Sequence, residues 1–211
     1  MHRNRILTLA TAALLPVAVL ACGGGEQGGE TGGEQAMQQE AGGQQTMEQE
    51  AGGQQGELTM PDWMTVDEEA QTVTMEIVAA ETSDNMNGWN FNGYYDGNAT
   101  IVVPQGYEIT IEFQNNDQVN PHSLGIDDQV GGYPANFTEV TPVFEGAVTE
   151  GATNMGSATQ PGQSETITFT ASEAGEYAMV CYVPAHANQG MWIHFDVSAE
   201  GEAGLRTSQG S

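Results

Sequence analysis

Lysine is absent from this 211-residue chain, and arginine occurs only as Arg3, Arg5 and Arg206. Against them stand 29 acidic residues, giving a formal net charge of −26 at pH 7 with His neutral. Phosphate backbones are bound by clustered cations, so this chain cannot build a nucleic-acid surface. A cationic protein partner is better matched. Dense carboxylates also keep a protein hydrated, so a saline habitat accounts for the same charge. Cysteine occurs twice, as Cys22 and Cys181, and histidine four times. H-E-x-x-H, G-x-S-x-G and C-x-x-C are all missing, which removes the enzyme classes built on those motifs. The apolar run from Ile6 to Leu20 is interrupted by Pro16 and is too short for a comfortable membrane span.

That run, preceded by Arg3 and Arg5, has the form of an export signal over residues 1–21. It ends in Val19-Leu20-Ala21-Cys22, which resembles a bacterial lipobox, so Cys22 is expected to carry the lipid and to begin the mature chain. An ordinary signal cleaved after Ala21 is the alternative. The expected location is the extracytoplasmic or periplasmic face of the cell membrane. Loss of Arg3 and Arg5 takes the charge from −26 to −28. Residues 22–60 are mostly Gly, Gln and Glu, and MQQEAGGQQ at 37–45 recurs as MEQEAGGQQ at 47–55. Too little apolar surface is available there to offset the entropy of ordering, which predicts a disordered tether. GGGEQG at 23–28 matches G-x-G-x-x-G, but no strand precedes it and no helical pattern follows, so it is an accident of composition.

From Pro61 the pattern alternates with period two. TVTMEIVAA (72–80) puts Val73, Met75, Ile77 and Ala79 on one face, and YEITIEF (107–113) does the same with Tyr107, Ile109, Ile111 and Phe113. ETITFTA (165–171), EYAMVC (176–181) and MWIHFDV (191–197) continue the series between turn signals. These short strands predict an all-β, antiparallel sandwich over residues 61–199, with residues 200–211 a disordered tail. The stretch 127–163 has weak periodicity and is expected to be an excursion with at most one short strand or helix.

MVCYVPAHANQGMWI (179–193) puts Cys181, His186 and Met191 at C-x4-H-x4-M spacing, with the cysteine ending one strand and the methionine starting the next. A thiol, an imidazole and a thioether on one loop suit copper, which accepts soft sulfur and borderline nitrogen together. A second imidazole is available from Asn120-Pro121-His122-Ser123, where Pro121 breaks strand pairing and delivers His122 before Leu124 and Ile126. Each residue also has an ordinary reading: a core thiol for Cys181, a turn residue for His122, a surface loop residue for His186, core packing for Met191. His194 alternates with Trp192 and Asp196 and is expected to face outward.

WNFNG (89–93), NPHSL (120–124) and CYVPAHANQGMW (181–192) together resemble the cupredoxins, and among them most closely the sulfocyanins; rusticyanin-like proteins share the loop spacing. The resemblance implies a cupredoxin-like Greek-key β-sandwich or barrel holding one type 1 copper ion. His122, Cys181 and His186 would be its strong equatorial ligands and Met191 its long axial one. It further implies an electron carrier and no enzyme, with redox proteins such as cytochromes or a terminal oxidase as partners and no small-molecule substrate. Electrons would pass through the edge of His186, among Pro184, Ala185, Ala187 and Gly190. Further copper centres would need more histidines than the mature chain holds. A copper chaperone or storage protein of the cell envelope is the alternative.

Overall fold

The computed structural model describes residues 56–83 and 88–208. The expected signal, the lipid site Cys22 and most of the expected tether lie outside the described residues. The expected strands form where alternation placed them. Strand β2 (Thr72–Ala79) and β4 (Glu108–Asn115) turn Val73, Met75, Ile77, Ala79, Ile109, Ile111 and Phe113 wholly inward. Each large apolar side chain so buried stabilises the fold by roughly 1.5–3 kcal/mol.

Strands β1 (Met64–Asp67), β2, β4 and β6 (Ser164–Thr170) make one sheet in that order. The second sheet runs β5 (Gly125–Asp127), β7 (Gly175–Val180), β8 (Trp192–Ser198), β3 (Ala99–Pro104) and β9 (Gly204–Thr207). Their inner faces meet in one apolar core that includes Phe91, Phe113, Phe169 and Phe195.

Two features depart from the sequence expectations. Both sheets are mixed, because β2 pairs parallel to β4 (Val73 beside Ile109) and β3 parallel to β8 (Ile101 beside Phe195). Side-chain alternation reports which face of a strand is buried and says nothing of its neighbour's direction. Parallel pairing needs a crossover, and the chain supplies one by visiting β3 in the opposite sheet between β2 and β4. The second departure is the expected disordered tail. Residues 204–207 form β9, antiparallel to β3, and Leu205 is buried and bridges Thr59. Leu205 is a single apolar residue in a polar stretch, too little to signal a strand.

Between Asp127 and Ser164 no strand or helix forms, yet the stretch is tightly used. Phe144 stacks on Phe169 in the core, at 5.6 Å between ring centroids. Tyr133, Phe137, Val140 and Val148 cover the outer face of β7 at Ala178, Val180 and the adjoining Tyr182. Cover on both faces explains why the chain reads as an unbroken apolar run from Ala178 to Val183, where a strand with one wet face would alternate. Gly125 lies under this cover: a Cβ there would sit 2.7 Å from the Tyr182 ring, so only glycine admits the contact.

Candidate metal centre

Two loops at one end of the sandwich build the site. Cys181 and Met191 follow and precede the last β7–β8 pair, Val180 beside Trp192, so the ladder itself brings them face to face. The Cys181 amide donates to Met191 O at 3.1 Å, and the Met191 amide to His186 O at 3.0 Å. Within this loop His186 opens a single 3₁₀ turn, Ala187–Gln189. Gly190 closes it at φ 101°, a conformation that favours glycine.

The other loop follows β4. Asn115, fully buried at its end, donates from Nδ2 to Asn120 O at 2.9 Å and Thr159 O at 2.8 Å. Its Oδ1 accepts from the Asp117 amide at 2.9 Å. Asp117 Oδ1 then accepts from the amides of Val119 (2.7 Å) and Asn120 (2.9 Å), tightening the turn into Pro121. His122 is held behind that turn by its own amide, which donates to Thr159 O at 3.0 Å.

The result is a convergence of three donor atoms. Cys181 Sγ lies 3.5 Å from His186 Nδ1 and 3.9 Å from His122 Nδ1, and the two Nδ1 atoms are 3.2 Å apart. Donors at the usual metal distances of about 2.0–2.3 Å, at angles between tetrahedral and trigonal, are separated by roughly 3.2–3.9 Å, so the set fits one ion. His122 and Cys181 are fully buried and His186 is 3% exposed. Met191 is fully buried too, and its backbone is tied to both loop ligands.

Protonation is legible from the partners. Burial pushes the Cys181 thiol up to about 11, against hydrogen bonds from Ser123 and Val183. Burial, with His122 alongside, drives His186 down to about 4, and burial also lowers His122 although Asp117 opposes it. The three metal-free donors are therefore uncharged at pH 7. Burial alone would raise the Asp117 carboxyl, but donations from Asn120, Val119 and His122 carry it down to about 2. A carboxylate can only accept, so at 3.1 Å from Asp117 Oδ2 the His122 Nε2 carries the proton and its Nδ1 lone pair faces the site.

Three contributors were assigned no role from the sequence, although Trp89 and Ser123 lie in the WNFNG and NPHSL motifs. Asp117 was detectable only as a turn residue. Ser123 donates its amide to Cys181 Sγ at 3.4 Å, and its Oγ accepts from the Tyr182 amide at 2.9 Å. Trp89 stacks on the His186 imidazole, centroids 4.6 Å apart and planes at 21°. His186, the residue expected to pass electrons, is buried with Ala187 and Gly190, while Pro184 and Ala185 are half-buried and Trp89 lies against the ring. His194 does stand on the outer face of β8, half-buried against Trp192. Among the described residues, the only group of three or more histidine, cysteine or acidic side chains that could hold a metal ion is His122, Cys181 and His186.

Residues 61–204 match the sulfocyanin (SoxE) domain. Sulfocyanin of Sulfolobus acidocaldarius is 29% identical over 141 residues, a match covering 58% of this chain and 61% of that relative's length. Among solved structures, dithionite-reduced auracyanin from Roseiflexus castenholzii aligns at 29% identity and a TM-score of 0.42, covering 59% of this chain and 96% of that one. Rusticyanin from Thiobacillus ferrooxidans aligns at 24% identity and a TM-score of 0.44, covering 65% and 87%.

Proposed function

The chain belongs to the sulfocyanin family, and from that premise we propose that it is a membrane-tethered carrier of single electrons between redox proteins outside the cytoplasm. The observation that carries the reading is the burial of three convergent donors, His122, Cys181 and His186, whose set fits a single type 1 copper ion. Copper, when bound, alternates between Cu(I) and Cu(II) and so exchanges one electron. The protein's own residues hold the rest. His122 and His186 present neutral imidazoles, Cys181 presents sulfur with the Ser123 amide aimed at it, and Met191, buried with its backbone tied to Cys181 and His186, is the proposed weak fourth ligand. Apolar walls exclude water and substrates, leaving the electron as the species able to cross. Trp89, in ring contact with His186, is itself half-buried. Delivery of the metal itself, as a chaperone requires, calls for a site open to a partner's ligands, which burial at this level disfavours.

The tether and the charge set the remaining parts of the reading. No helix among the described residues is long and apolar enough to cross a membrane, and attachment is proposed through lipid on Cys22. The only Lys or Arg among the described residues is Arg206, and it is paired with Glu202 at 3.1 Å. Cationic redox partners are therefore steered toward the domain and anionic ones repelled. The test is the visible spectrum of the copper-loaded protein, which should show an intense thiolate-to-copper band that Cys181→Ser abolishes. A colourless wild-type complex overturns the assignment. Rates with a basic cytochrome should fall as salt rises, since the Debye length shrinks from about 8 Å at 0.15 M to about 3 Å at 1 M.

A further inference from the structure

The two imidazoles of the site are not equivalent. His186 has an aromatic ring, Trp89, against its face. His122 instead donates from Nε2 to the Asp117 carboxylate at 3.1 Å. Its ring is fully buried, while the Asp117 side chain is 10% exposed, so little water screens the pair. The carboxylate is held from three other directions by the Val119 and Asn120 amides and the Asn120 side-chain amide. Its position is thus set by the turn, independently of any metal.

We propose that Asp117 is a positioning residue that sets the redox balance of the site by lending anionic character to His122. An imidazole hydrogen-bonded to a carboxylate is a stronger donor than one bonded to a neutral acceptor, and it keeps one tautomer. The benefit is larger for the dication than for the monocation, so Asp117 favours Cu(II) and lowers the reduction potential. The inference rests on the copper-carrier reading above. It also has an internal counterweight: Asn120 Nδ2 donates at 3.2 Å to Oδ2, the same oxygen that accepts from His122. Asn120 therefore draws off part of the charge that would otherwise reach the imidazole.

The two residues are opposed, which separates tuning from mere support of the loop. Asp117→Asn keeps the size and an oxygen to accept the Val119 and Asn120 amides but removes the charge. Loss of a partner to a metal-bound histidine typically costs roughly 10–100-fold in affinity. Each tenfold loss borne by Cu(II) alone raises a one-electron potential by about 59 mV. Asn120→Ala removes only the competing donor, and its backbone amide and carbonyl bonds remain, so the potential should fall. Redox titration of both variants beside wild type, with Cu(II) affinities by competition, reads the proposal. In the metal-free wild type, 15N NMR should find His122 protonated at Nε2.

An unchanged potential in Asp117→Asn with the visible band intact overturns the proposal, as does protonation at Nδ1. If Asp117→Asn fails to fold by circular dichroism, Asn120→Ala decides: a lower potential sustains the proposal, and an unchanged or higher one overturns it. Failure of the underlying copper reading is distinguishable, because it appears first as a colourless wild type.

Discussion

Copper loading should be coupled to proton release from one buried thiol. Cys181 is fully buried, and burial carries its thiol up to about 11 in the metal-free protein. A thiol with that pKa is protonated at pH 7, yet only the thiolate is a strong ligand. Ionising it at pH 7 spans about four pH units, a cost of about 5 kcal/mol that the metal–sulfur bond must exceed. The histidines contribute no second proton there, since His186 titrates near 4 and His122 also lies below its ordinary value. The sign follows directly. The free site holds the thiol proton and the loaded site does not, so apparent Cu(II) affinity should rise about tenfold per pH unit from about pH 7 to about pH 9. At lower pH the slope should steepen as the histidines begin to compete for protons, His186 from about 4. Chelator competition across that range, corrected for the chelator's own protonation, measures the slope. Calorimetry in two buffers of different ionisation enthalpy counts the protons. Wild type should release one at pH 7, and Cys181→Ser none. Release of no proton by the wild type would refute the reasoning, because the thiolate would then pre-exist or sulfur would not be a ligand.

Met191→Leu should raise the potential, by removing a donor that helps Cu(II), and Met191→Gln should lower it by supplying a harder oxygen; both should still bind copper, and potentials equal to wild type in both would exclude an axial role. Away from the site, Asp196 faces Glu176 across the β7–β8 ladder, and burial, then that neighbour, raise its carboxyl to about 6 against the pull of Arg206. Its raised pKa means stability is fully present below the unfolded value of 3.8 and is lost as pH climbs through about 6. Asp196→Asn should therefore stabilise the fold by about 1–2 kcal/mol at pH 8, after discounting for partial solvent screening, and by almost nothing at pH 3.5. Urea midpoints at the two pH values check the contrast. Cys22→Ser should release the protein from membranes without altering copper binding; equal membrane retention of both forms would exclude lipid attachment there.

The strand faces and all four candidate ligands were legible, the faces and three of the ligands because they depend on short-range rules. Alternation at Val73, Met75, Ile77 and Ala79 needs only a pleated backbone and one wet face. Cys181, His186 and Met191 share a hairpin loop, so their spacing in the chain already limits their spacing in space. Other elements carried no such local signal. In β3, Ala99–Pro104, neighbours cover both faces, erasing the alternation that would have marked it. The stretch 127–163 packs by single aromatic contacts whose partners are distant in the chain.

The residues and their spacing by themselves determined the donor set, the anionic surface and the all-β character, since these follow from side-chain chemistry and from periodicity along one chain. Only the tertiary structure decided which strands run parallel, that Leu205 belongs to the folded body, and that His122 reaches Cys181 from 59 residues away. It also decided which neighbours touch the site: Asp117 on one imidazole, Trp89 on the other and Ser123 on the sulfur. The physical reason is the range of the interactions. A hydrogen bond or ring contact has force only over a few ångströms, and whether two side chains come that close is settled by how the strands cross between sheets, which local sequence does not encode.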